Sequence, residues 1–263
     1  MNTTDKCLLC LTSEPNKRNS HIVPKFLTKG LFSLEHHRQT LTIHRTGTTR
    51  FRQDTPKEDF ILCDNCEKRI EVIETEFAPI IRKIHNYTKF PNDFEHIVTG
   101  QLEYLRCISV QKALYNLFFY SIIWRLSVSR LESYGTLKLP VNAEENIRCF
   151  LQDNLCLSKN ELLNKIQNEI ESPDYHIVLI KPKIKTDPPG GMLSAHSYNE
   201  NEHLITLVDF ILFFFVREEV IKPPLKPITN NLNSVFLIGM GENKHWIELN
   251  SMLYHQVLEG GKT

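Results

Sequence analysis

Two Cys-x-x-Cys pairs, Cys7-Leu8-Leu9-Cys10 and Cys63-Asp64-Asn65-Cys66, stand 52 residues apart in the chain. Each pair sets two thiols a turn apart, the bite that a tetrahedral zinc ion accepts. Two such pairs complete a closed set of four thiolates, so the fold must bring the neighbourhood of residue 10 back to residue 63. A closed set leaves no position for water or substrate, and zinc held by Cys7, Cys10, Cys63 and Cys66 is therefore expected to be structural. The other three cysteines, Cys107, Cys149 and Cys156, lie in apolar surroundings, where a free thiol behaves as a small buried hydrophobe.

Met1-Asn2-Thr3-Thr4-Asp5-Lys6 runs into Cys7 without the apolar stretch of a secretory leader. Together with the paired cysteines this predicts a protein of the reducing cytoplasm. The most apolar run, 204–216, contains Asp209 and is too short to cross a bilayer, so no membrane association is expected. At 263 residues the chain can bury a proper core in one large or two modest domains. Lys+Arg and Asp+Glu are both 31, so no global field draws it to nucleic acid. Residues 1–60 differ, with ten basic against six acidic side chains, and admit a phosphate-attracting face or an ordinary solvated one.

Between the cysteine pairs lies Ser20-His21-Ile22-Val23-Pro24-Lys25, where Pro24 biases Val23 to extended backbone and His21 to a short strand or its edge. Residues 39–53 alternate polar and apolar around Thr46-Gly47 and read as a hairpin, with His44, Arg50 and Arg52 on its polar surface. Ile70, Ile73, Phe77, Ile80, Ile81 and Ile84 recur at helical spacing, predicting an amphipathic helix from about Asp64 that Pro79 must kink or split. Residues 86–100 read as a module boundary and 101–130 as a long helix. Asn142 with Glu145, and Ser158 with Glu161, read as capping boxes of two further helices. Strands are expected at 175–180, within 204–216 and at 234–238, with a last helix at about 246–258. The expected class is thus α+β: a zinc-stapled module over 1–95, then a larger, mainly helical domain over 96–263 with a C-terminal β portion. The second domain would select substrate or associate with a protein partner or a second copy.

Cys-x-x-Cys, then His-Ile-Val-Pro about ten residues on, then Leu-Cys-x-x-Cys opening a helix, resembles the zinc-stapled branch of the HNH (ββα-metal, treble-clef) endonucleases. The resemblance covers residues 7–67. It implies that His21 is a general base that deprotonates the water attacking a phosphodiester, with Mg²⁺ or Mn²⁺ bound nearby. The chain departs from the family pattern at the metal ligands: Ser20 stands where Asp or His precedes the base, and Glu67 where His follows the second pair. Glu58 and Asp59 occupy the neighbourhood of the family asparagine. The resemblance thus implies a carboxylate site for the divalent ion from Glu67 with Glu58 or Asp59. Its implied partner is nucleic acid, DNA above all, met by Lys25, Arg45, Arg50 and Arg52, and its implied setting is bacterial antiviral defence. A histidine that only bonds a backbone carbonyl, a surface glutamate on a helix, and a catalytically inactive zinc module that binds nucleic acid or a partner protein are the competing readings. A third leaves the module as a structural cap, with function in the C-terminal domain. The His36-His37 pair reads as solvated, Pro188-Pro189-Gly190-Gly191 as a connection, and Phe118-Phe119-Tyr120 and Phe213-Phe214-Phe215 as core or an association surface.

Overall fold

The first cysteine pair sits on a knuckle that turns on itself: the Cys7 amide donates to Ser13 O at 2.7 Å and the Leu11 amide to Cys7 O at 2.9 Å, with Leu11 at φ 56°. This computed structural model describes residues 6–251 apart from 33–39, 44–48, 132–135, 169, 184–191, 233–234, 245–246 and 249–250. Ser20–His21 (β1) leaves the knuckle and pairs antiparallel with Lys57–Glu58 (β4), Ser20 opposite Glu58 and His21 opposite Lys57. Between them come a helical turn, Lys25–Thr28 (α1), and the expected hairpin of Thr40–Ile43 (β2) and Thr49–Arg52 (β3), with Leu41 opposite Phe51.

Asp64–His85 (α2) follows the second cysteine pair as expected and buries Cys66, Ile70, Ile73, Phe77, Ile81 and Ile84 on one face. It runs its 22 residues through Pro79 rather than splitting there. The proline costs one helical hydrogen bond, and the buried isoleucines on both sides hold the helix to the core across the gap.

Residues 86–130 depart from expectation. The anticipated boundary and first helical turns are a hairpin, Phe94–Thr99 (β5) and Leu102–Cys107 (β6), which turns at Gly100 with φ 59°, a conformation that glycine adopts without strain. The helix proper is Lys112–Val128 (α3). Val141–Asn154 (α4) starts at Pro140, not at a box on Asn142. Lys159–Gln167 (α5) starts as expected, with Ser158 Oγ accepting from the Glu161 amide at 3.3 Å.

His176–Pro182 (β7), Leu193–Ser197 (β8), Glu202–Leu207 (β9), Ile211–Phe215 (β10) and Phe236–Gly241 (β11) complete a seven-stranded sheet ordered β5-β6-β11-β7-β10-β9-β8. Only β11 against β7 is parallel. The apolar run 204–216 is two strands of one hairpin. The region after residue 95 is therefore built on a sheet, not mainly helical, because β6 takes its partner β11 from the far end of the chain. Of the last expected helix, most lies outside the described residues.

Every residue of α3 from Ala113 to Ser127 is buried, as a helix apolar on all sides must be. Phe118 stacks on Phe77 of α2 at 4.1 Å, and Tyr115 stacks on Phe236 of β11 at 4.9 Å. Phe118–Tyr120 and Phe214–Phe215 are core. One apolar cluster runs from Cys7 and Leu9 through α2, Phe94 and α3 to Met240, so residue 95, the expected boundary, falls inside β5, next to a residue of that shared core. The chain is a mixed α+β protein. No helix among the described residues is long and apolar enough to cross a membrane.

Candidate functional site

The two cysteine pairs meet. The Sγ atoms of Cys7, Cys10, Cys63 and Cys66 all lie within 4.8 Å of one another, with Cys10 and Cys63 at 4.0 Å. Four sulfurs each about 2.3 Å from a zinc ion would stand about 3.8 Å apart, so a small inward movement closes the set on a metal such as zinc. Main-chain bonds fix the approach: the Leu8 amide donates to Ile61 O at 2.9 Å, the Lys17 amide to Leu62 O at 3.1 Å, and the Phe60 amide to Lys17 O at 2.8 Å. Asn16 reaches across to cap α2, accepting from the Asp64 amide at 2.9 Å and donating to Asp64 Oδ2 at 3.1 Å.

The thiols polarise one another. The hydrogen bond from Cys66 holds Cys7 far below an ordinary thiol, at about 4. The same bond, with burial, pushes the Cys66 thiol up. One thiolate is thus stabilised by its neighbours, but four together need a cation between them. Among the described residues this quartet is the only group of three or more His, Cys, Asp or Glu side chains placed to share a metal ion.

The anticipated carboxylate site does not assemble. Glu58 is buried and spent: its Oε2 accepts from Ser129 Oγ at 2.7 Å and its Oε1 from Arg130 Nε at 2.8 Å. Asp59 Oδ1 accepts from the Asn19 amide at 2.7 Å. Glu67 Oε2 accepts from Ser20 Oγ at 2.9 Å, so this serine ties strand β1 to α2. None of these three lines the cleft beside His21. Each carboxylate folds the module, and the three do not fit a shared divalent ion there.

His21 lines a cleft of about 730 Å³ together with Lys25, Gln53, Asp54, Glu71 and Glu74. Its Nε2 is shielded and has no hydrogen-bond partner among the described residues. Burial, then the charge of Lys57, lowers its pKa below 6.5; Asp54 opposes this, and Lys25 and Arg125 add to it. The ring is therefore neutral near pH 7, with a nitrogen able to take a proton. Asp54 pairs with Lys57 at 2.7 Å and accepts from the Thr55 amide at 2.9 Å.

The His21 backbone is held by Arg125, 2% exposed in the last turn of α3. It donates from Nη1 to His21 O at 2.7 Å, from Nη2 to Glu74 Oε1 at 2.6 Å and from Nε to Ser121 O at 3.0 Å. Glu74, Asp54, Lys57 and Arg125 were not among the expected site residues. For Arg125 the available signal was the one arginine in a largely apolar helical run.

Of the expected nucleic-acid contacts, Lys25 lines the His21 cleft and Arg52 an adjoining one. Arg45 and His44 lie outside the described residues, as does the side chain of Arg50. His36, His37 and the Pro188–Gly191 stretch lie outside them too. No family model, curated protein or solved structure matches this chain, so what it does has to be read from this site.

Proposed function

We propose that the protein hydrolyses phosphodiester bonds of nucleic acid, with His21 as general base and a structural zinc ion on the four cysteines, in a module of the ββα-metal kind. The observation that carries the reading is the neutral imidazole of His21, its Nε2 without a hydrogen-bond partner among the described residues, in a cleft bearing Lys25 and bordered by Lys57. A shielded ring nitrogen left without a partner costs stability, which favours its being kept for a ligand. His21 would take a proton from water as the hydroxide oxygen bonds to phosphorus. The ammonium groups of Lys25 and Lys57 would offset the charge growing on the phosphoryl oxygens and on the leaving oxygen, which departs with the P–O bond electrons and is then protonated by solvent.

A second reading, a binding module without catalysis, is favoured by the engagement of Glu58, Asp59 and Glu67 in internal hydrogen bonds. One experiment separates the two. Full-length zinc-loaded protein is incubated with plasmid and with single-stranded DNA, with and without Mg²⁺ or Mn²⁺. Cleavage is expected, and His21→Ala should lower its rate at least 100-fold while zinc content stays unchanged. Undiminished cleavage by His21→Ala would remove the histidine from the mechanism. Salt-dependent DNA binding with no cleavage would establish the binding module instead.

A further inference from the structure

Beside the His21 cleft, and sharing Gln53 and Asp54 with it, lies a second cleft of about 600 Å³. Its other walls are Asn19, Phe51, Arg52, Thr55 and Lys57. Three features of that wall are unexplained by folding. Phe51, at the end of β3, is 70% exposed, an uneconomical place for a phenyl ring that the nearby core could have taken. Arg52 Nε is shielded and has no hydrogen-bond partner among the described residues. Thr55 is 3% exposed, and its Oγ1 is likewise without one.

A buried arginine N–H and a buried hydroxyl with no partner are each costly unless a ligand or ion completes them. What they would complete is defined by their chemistry. The guanidinium N–H and the hydroxyl are donors, and Lys57 stands by, half-neutralised by Asp54 at 2.7 Å. Donors on a guanidinium and a hydroxyl, beside the Lys57 ammonium and with only Asp54 as a competing carboxylate among the described residues of the wall, select an anionic oxygen, as on a phosphate. A bare aromatic face at the rim selects a flat partner. Phosphate and flat ring together describe a nucleotide.

We propose that this cleft is a subsite for one unpaired nucleotide of a single-stranded nucleic acid, its phosphate held by Arg52 and Thr55 and its base stacked on Phe51. In a duplex both faces of a base are already stacked, so Phe51 can be used only by a strand that is single or locally opened. The shared wall at Gln53 and Asp54 makes the neighbouring phosphodiester the one presented to His21. The proposal rests on the nucleic-acid reading of the site but not on its catalysis.

The test uses the full zinc-loaded chain in a His21→Ala background, so that the probe is not consumed. A labelled mixed-sequence DNA oligonucleotide and the same strand annealed to its complement are titrated by fluorescence anisotropy. The single strand should bind more tightly than the duplex. Phe51→Ala should weaken single-strand binding by about tenfold, the ordinary worth of one stacked base, and Phe51→Trp should restore it. Arg52→Gln should reduce the dependence of log affinity on log salt by about one phosphate contact. Single-strand binding unchanged by Phe51→Ala and Arg52→Gln, tighter binding of the duplex, or no binding to either probe would each overturn the subsite.

Catalysis is followed separately on bis-p-nitrophenyl phosphate, a diester with no nucleobase. Hydrolysis that depends on His21, alongside oligonucleotide binding indifferent to Phe51, would sink the subsite alone. Phe51-dependent binding with no hydrolysis of the diester or of DNA would sink the base and leave the subsite standing.

Discussion

His21 is held between cations that act on its proton affinity. Burial and Lys57 lower its pKa below the ordinary 6.5, and Asp54 raises it in part. The unfolded chain therefore binds a proton more readily than the folded one, and the fold loses stability as pH falls from 6.5 toward the folded value. For a general base the same shift sets the acid limb of the rate profile. The limb in kcat/KM should have its midpoint below 6.5. Lys57→Gln removes a cation and should move the limb toward higher pH, whereas Asp54→Asn removes an anion and should move it lower. A pH–rate series on the two variants checks this, and a limb that ignores both would separate His21 from the proton transfer. His21 stood out in the sequence because His-Ile-Val-Pro is a motif. Asp54 and Lys57 did not, because a loop ion pair three residues apart has no periodicity to betray it.

At the level of elements, α2 does the most. Its first turn carries Cys66 and Glu67, and Cys63 is its N-cap. Thiolates there gain from the partial positive charge of the helix N-terminus. The same helix reaches the core through Phe77 and Ile84 and the cleft through Glu71 and Glu74. A metal on the four cysteines would therefore fix one end of the element that forms a wall of the site. Elemental analysis should find one zinc per chain. Cys66→Ser or a strong chelator should remove it and cost several kcal/mol, which at 2–4 °C per kcal/mol for a chain of this size lowers Tm by about 10 °C or more. A melting curve unchanged in Cys66→Ser would show that the sulfurs are together for packing alone. Cysteine and periodic isoleucine made this element readable. The β5–β6 hairpin was not, because its apolar residues alternate weakly and β11, the strand that completes β6, lies at the other end of the chain.

At the scale of the whole molecule, Arg125 joins the two ends of the chain, alongside links such as Arg130 to Glu58 and Arg148 to Leu9 O. Arg125 projects from α3, in the part of the chain beyond residue 100 that carries no recognisable motif, to His21 O in β1 and Glu74 in α2. The cysteine-bearing end and the sheet-bearing end thus share a polar contact as well as a core, which the sequence could not show because the partners are 104 and 51 residues away. Removing one member of such a pair leaves an uncompensated charge and costs about 3–5 kcal/mol. Arg125→Met should show a loss of that size in denaturant unfolding at pH 7, and the cost should depend on pH. Burial already raises the pKa of Glu74 above its ordinary value against the pull of Arg125. Without the arginine the carboxyl rises further, so the variant should be weakest at neutral and alkaline pH and recover as acid neutralises Glu74. Glu74→Gln in the same chain should recover part of the stability at pH 7 by removing the stranded charge. A loss in Arg125→Met that neither acid nor Glu74→Gln relieves would mean that the arginine matters for its bulk and for the His21 carbonyl, and that the pair with Glu74 contributes little to joining the two halves.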